Sequence, residues 1–275
     1  MSLPIVVLIG LAAASAVMVA MWLVQRRTRN AGIVDVAWSF ATGGLGAAFA
    51  LAADGSWPRR LVIAGLAAAW GVRLGSHLWV RVAGEAEDGR YAQMRREWGD
   101  GADRRLLIFF QLQAVAAVLF ALPMLAAARS AAPWGILDAA GVGLWLIGLG
   151  GEAIADRQLA AFRADPANRG RVCQVGLWRW SRHPNYFFEW LHWWSYVALA
   201  VHSPLWWLPI AGVAVMGYTI TRVTGIPPTE AQAIRSRGEA YRAYQRTTSA
   251  FVPWPPRPDP RPDPRPDPQA AEARR

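Results

Sequence analysis

A chain of 275 residues that is 54% hydrophobic and only 17% charged departs from a soluble globular domain, which carries about 25% charged residues. Its net charge is +10, yet every basic residue is an arginine, and the arginines gather in alternate loops between apolar runs. That is a topological pattern and not a nucleic-acid-binding face. The single cysteine, Cys173, excludes an internal disulfide framework, and neither zinc-ligand spacing nor a Gly-rich nucleotide-binding fingerprint is present.

The apolar runs predict about seven membrane spans, each near the ~20 residues that a bilayer core requires. They are Leu3–Leu23, Ile33–Ala53, Leu61–Val80, Leu106–Ala126, Gly135–Ala155, Asn185–Val201 and Pro204–Thr221. The expected fold is therefore all-α: a polytopic membrane bundle of about seven transmembrane helices with a cytoplasmic amphipathic tail helix. The first run has no basic residues ahead of it, and Arg26 and Arg27 follow it, so it reads as an uncleaved span and not a signal peptide. The second and fifth spans are rich in Gly and Ala, which suits close helix packing in lipid.

Long basic loops are expected at Arg81–Arg105, after the third span, and at Asp156–His183, after the fifth. With Arg26, Arg27, Arg29 and the arginines after the seventh span, they outweigh Arg59, Arg60 and Arg129 in the alternate loops. The positive-inside rule then places the N-terminus outside and the C-terminus in the cytoplasm. Past the seventh span, Pro227 and Pro228 open an amphipathic helix expected over roughly Pro228–Arg246. Ser249–Pro256 returns to aromatic and apolar character, as at a membrane surface. From Arg257 the sequence reads RPDPRPDPRPDP, with proline too frequent for a helix or a packed core. The domain organisation expected is thus a membrane domain over 1–256 and a disordered tail over 257–275.

Candidate chemistry concentrates at GLWRWSRHPNYFFE, residues 176–189. Arg171, Arg179, Arg182 and His183 precede Pro184, which opens an aromatic helix. Asn185, Glu189, His192 and Tyr196 follow on one face of it. An acid and an amide in so apolar a segment are costly and mark a functional face, and an arginine-rich helix start suits an anion. The third span carries Arg73, His77 and Arg81 at four-residue spacing. The second carries Asn30, Asp35, Trp38 and Thr42. Glu152 and Asp156 lie one turn apart near the end of the fifth span, with Arg163 two turns on, and Tyr241 and Tyr244 line the tail helix beyond Arg222 and Glu230. Arginines, acids and tyrosines at one depth suit a large anionic cofactor from the cytosol. A lipid-like substrate would occupy the apolar interior. Hydride transfer fits that arrangement, and methyl transfer from another adenosine-containing cofactor fits it as well.

GLWRWSRHPNYFFEW and, after an apolar span, TGIPPTEAQAIRSRGEAYRAYQRTTSAFVPWPP resemble the C-terminal domain of the steroid 5-alpha-reductase family, most nearly its bacterial branch. NAGIVDVAWSF and RLGSHLWVRVAGEAEDGRYAQMRREWG resemble the same branch. More distantly, the pattern is similar to sterol reductases and isoprenylcysteine carboxyl methyltransferases. The resemblance implies an integral protein of a bacterial inner membrane that binds NADPH and reduces an activated C=C bond of a steroid or other enone. It implies cofactor contacts at Asp156, Arg163, Asn185 and Glu189, with further contacts at Tyr241 and Tyr244. Arg171, Arg179 and His183 are expected to join them. The acid that polarises the substrate carbonyl falls to Asp35, and the phenol's part to His77 or Tyr91. The methyltransferase relatives imply S-adenosylmethionine as the alternative cofactor, and a non-catalytic membrane protein is the third reading. The partners expected are a lipid-like small molecule and the bilayer, with no nucleic acid and no metal.

Overall fold

The computed structural model describes residues 2–84 and 86–260. Ten α-helices follow one another among them: α1 Leu3–Thr28, α2 Ile33–Ala52, α3 Trp57–Gly84, α4 Gly89–Trp98, α5 Ala102–Ala128, α6 Ile136–Ala164, α7 Pro184–Leu199, α8 Trp207–Tyr218, α9 Ile226–Arg237 and α10 Glu239–Thr247. No strand is present among the described residues, and Ser181 and Ser249 form an isolated β-bridge. Among the described residues, five segments are long and apolar enough to cross a membrane: α1, α2, α3, α6 and the continuous helical stretch Gly89–Ala128 that contains α5. The sixth and seventh predicted spans form shorter helices of 16 and 12 residues.

The chain divides into two compact units. The first comprises Met1–Leu149 and Glu189–Tyr218, and the second Gly150–Phe188 and Thr219–Arg275. Within the first, α2 is the central helix and packs chiefly on α3 and α5. Its glycines make that possible. A Cβ at Gly43 would lie 2.6 Å from Gly71 Cα, so the α2 and α3 backbones touch, as small-residue seams allow in membranes. The start of α3 is tied down by an ion pair. Arg59 Nη1 donates to Asp138 Oδ1 at 2.5 Å and to the Leu199 carbonyl at 3.1 Å, and Gly135 N–H donates to Asp138 Oδ2 at 2.9 Å.

The second unit is built around the turn at residues 176–183. Gly176 begins it with φ 54°, a left-handed conformation that glycine adopts without strain. Gln158 Oε1 accepts from Leu177 N–H at 2.9 Å, and Trp178 Nε1 donates to the Ala155 carbonyl at 2.9 Å, which fixes the turn on the end of α6. The chain after α10 runs back along the same turn. Arg182 N–H donates to the Ser249 carbonyl at 2.8 Å, Ser181 Oγ to the Phe251 carbonyl at 2.7 Å, and Trp254 N–H to the Trp180 carbonyl at 2.9 Å.

Three expectations need correction. The segment Arg81–Arg105 is not a bare loop: α3 continues to Gly84, and α4 follows with Asp88 as its cap, whose side chain accepts from Arg90 N–H. The tail helix is two helices, because Gly238 at φ 55° ends α9 and turns the chain into α10. The fifth span continues as helix to Ala164, since Arg157 and Gln158 are good helix formers. The expectation of a disordered tail over 257–275 lies outside the described residues from 261 onward.

Candidate functional site

In the second unit, charged and polar groups converge on Glu230. Arg182 Nε donates to Glu230 Oε1 at 2.6 Å, His183 Nε2 lies 3.3 Å from the same oxygen, and Tyr241 Oη donates to it at 3.4 Å. Gln245 Nε2 donates to Oε2 at 2.7 Å. A carboxylate only accepts, so His183 carries its hydrogen on Nε2. Its ring stacks on Tyr186 at 5.4 Å. Burial pushes the Glu230 carboxyl up, but the hydrogen bonds from His183, Arg182 and Gln245 and the Arg182 charge outweigh it and hold it at about 2. Burial likewise pushes His183 below its ordinary value, more than Glu230 lifts it. Burial pushes the Tyr241 and Tyr244 phenols up.

Sequence reasoning placed Tyr241 and Tyr244 at a cofactor. Both are buried against Ala233, Val172 and Ile234, and Tyr244 Oη donates to the Trp178 carbonyl and, at 3.1 Å, to that of Ser181. The Tyr244 hydroxyl anchors α10 to the turn, and that of Tyr241 ties α10 to Glu230 on α9. Two other residues named for the cofactor, Asn185 and Asp156, meet: Asn185 Nδ2 donates to Asp156 Oδ1 at 3.2 Å. Arg163, at the end of α6, Arg171, in the loop, and Arg179, on the 3₁₀ turn Gly176–Arg179, are all exposed. A cavity of about 380 Å³ adjoins α10 and includes Arg182, Gln245, Arg246, Thr248, Trp254 and Arg257 in its wall. Arg182 is held there by Glu230, and Arg246 by Asp259 and Glu239.

In the first unit, two of the three candidate catalytic side chains meet. Tyr91 Oη donates to Asp35 Oδ1 at 2.7 Å, and Arg90 Nη2 donates to Asp35 Oδ2 at 3.2 Å. Asp88 sets this geometry by accepting from the Arg90 backbone and from Arg90 Nε at 2.9 and 3.0 Å. Tyr91 is buried and Asp35 half-buried. His77, the other candidate for the phenol's part, is exposed on α3.

Glu189 also belongs to this unit, and the expected polar strip of Asn185 and Glu189 resolves into two settings. Glu189 Oε1 accepts from Trp193 Nε1 and Oε2 from Trp70 Nε1, each at 3.0 Å. His192 Nδ1 approaches the Glu189 carbonyl at 3.0 Å. Glu189 is therefore a buried carboxylate satisfied by indoles.

Sequence reasoning missed the partnership of Arg182 with Glu230 and Gln245, and the indole partners of Glu189. Arg182 was visible as one of several cations, but nothing local singled it out from Arg179. No cluster of metal-ligating side chains occurs among the described residues.

The long apolar helices and Gly-mediated packing define a multi-spanning integral membrane protein. The chain belongs to the family described as "Protein of unknown function (DUF1295)", which matches residues 21–248. No curated protein and no solved structure matches it.

Proposed function

We propose that this chain is a membrane-embedded oxidoreductase that uses NADPH to reduce an activated C=C bond of a lipid-like enone. The hydrogen bond between Tyr91 and Asp35 carries the reading. A carboxylate from one span and a phenol from the next helical segment polarise the substrate carbonyl in the steroid 5-alpha-reductases, which the sequence resembles. The resemblance left His77 and Tyr91 as alternatives for the phenol, and the contact favours Tyr91.

When bound, NADPH would supply a hydride for the β-carbon of the enone, and the electron pair of the C=C bond would move toward the carbonyl oxygen. The single hydrogen of Tyr91 turns from Asp35 to that oxygen when substrate binds and stabilises the charge developing there, while Arg90 keeps Asp35 fixed beside the phenol. A solvent proton reaching the α-carbon completes the reduction. The residues of the second unit fit the cofactor's chemistry. Arg163, Arg171 and Arg179 are exposed for phosphate oxygens, and the Asn185–Asp156 pair offers an amide and a carboxylate to ribose hydroxyls. The arginine-rich loops would face the cytoplasm of a bacterial cell, with the chain in the inner membrane.

The test is NADPH oxidation by purified protein in detergent against a panel of enones. Enone-dependent oxidation should fall by roughly 100-fold in Tyr91→Phe and Asp35→Asn. Binding of S-adenosylmethionine with no NADPH oxidation would instead favour a methyltransferase.

A further inference from the structure

Five aromatic rings in the first unit form a closed circuit. Ring centroids are 6.0 Å apart for Trp38–Trp70, 5.5 Å for Trp70–His192, 5.2 Å for His192–Trp193, 5.2 Å for Phe120–Trp193 and 5.8 Å for Trp38–Phe120. Such a cluster alone is a packed core. Its polar atoms make it unusual. His192 is 1% exposed, and its Nε2 has no hydrogen-bond partner among the described residues. The buried indole Nε1 of Trp38 has none either.

The tautomer follows from the contacts. His192 Nδ1 lies 3.0 Å from the Glu189 main-chain carbonyl, which can only accept, so Nδ1 carries the hydrogen. Nε2 is then a bare lone pair inside a unit of aromatic rings. The ring cannot turn away freely. It stacks on Trp70 at 20° interplanar angle, and α6 presses its backbone from behind: a Cβ at Gly148 would lie 2.4 Å from His192 Cβ. A buried acceptor and a buried donor left open are costly unless something fills them.

We infer that His192 Nε2 receives the hydroxyl of an apolar alcohol bound within the first unit. A neutral hydroxyl donates, as the lone pair of His192 Nε2 requires, and its oxygen accepts from an indole N–H such as that of Trp38. The aromatic circuit suits an unsaturated hydrocarbon body. The inference does not rest on the reductase reading. The binding test needs no NADPH, so the two fail separately.

The probes are farnesol and farnesyl methyl ether, which differ in the donor hydrogen, titrated into histidine-¹⁵N-labelled protein in detergent. Tautomers separate the buried histidines without mutation, because His183 holds its hydrogen on Nε2 and His192 on Nδ1. Farnesol should shift the bare Nε2 signal saturably toward the protonated range, and the ether should leave it in place. His192→Phe, which keeps a ring, should weaken farnesol binding roughly tenfold. Trp38→Phe serves as a second variant and should weaken it in the same direction. No shift with farnesol, or an equal shift with the ether, overturns the inference. So does a wild-type spectrum in which no histidine beyond the exposed His77 and His202 has a bare Nε2.

Discussion

Arg182 Nε donates to Glu230 Oε1 at 2.6 Å across 48 positions of chain, joining the turn ahead of α7 to the start of α9. Glu230 and its partner His183 both titrate below their ordinary values of 4.5 and 6.5. Each therefore adds stability that is complete above its unfolded value and is lost as pH falls through its folded one. The thermal midpoint of the second unit should decline in two stages, first below about 6.5 as His183 is forced to charge, then from 4.5 toward about 2 as Glu230 is protonated. Glu230→Gln should remove the second stage. Glu230→Ala should cost about 3 kcal/mol by stranding Arg182. A midpoint that stays level through both windows contradicts this role.

Arg59 and Asp138 form a deeply buried ion pair in the first unit, with side chains 1% and 6% exposed. Trp134 lies 4.9 Å from the guanidinium. Removing one charge leaves the other buried. Arg59→Met and Asp138→Leu should each destabilise by about 3–5 kcal/mol, and the double variant should recover most of that loss. Thermal unfolding in detergent reads this directly, and losses that simply add would show that the charges do not depend on each other.

Gly148 is where α6 touches the backbone of α7. An added Cβ would lie 2.7 Å from His192 Cα and 2.8 Å from His192 N, with no flexible side-chain end to yield. Gly148→Ala should lower stability by about 1–3 kcal/mol through overpacking. Gly143→Ala, on the same helix with open space around it, should be neutral or slightly stabilising. Equal melting temperatures for the two variants would contradict close packing at this point.

Hydrophobic runs alone located α1, α2, α3, α5 and α6, because bilayer thickness imposes a length that shows in any window of the chain. Helix ends were less legible. Asp88 caps α4 and Gly238 divides the tail helix, and both are single residues whose effect depends on backbone conformation. Asp35, Asn185 and Glu189 stood out because polar groups are rare in such segments. The pairings did not, since Tyr91 lies 56 positions from Asp35 and Trp70 lies 119 from Glu189. Tyr241 and Tyr244 stood out through their helical spacing, which packing against Ala233 produces as readily as a ligand would.

Equilibrium dialysis of the purified chain against NADPH and, separately, S-adenosylmethionine asks whether this membrane protein is a reductase. Saturable NADPH binding, weakened roughly tenfold by Arg163→Ala or Arg171→Ala through loss of a charged phosphate contact, is the result expected. Binding of S-adenosylmethionine alone, or of neither molecule, would contradict it.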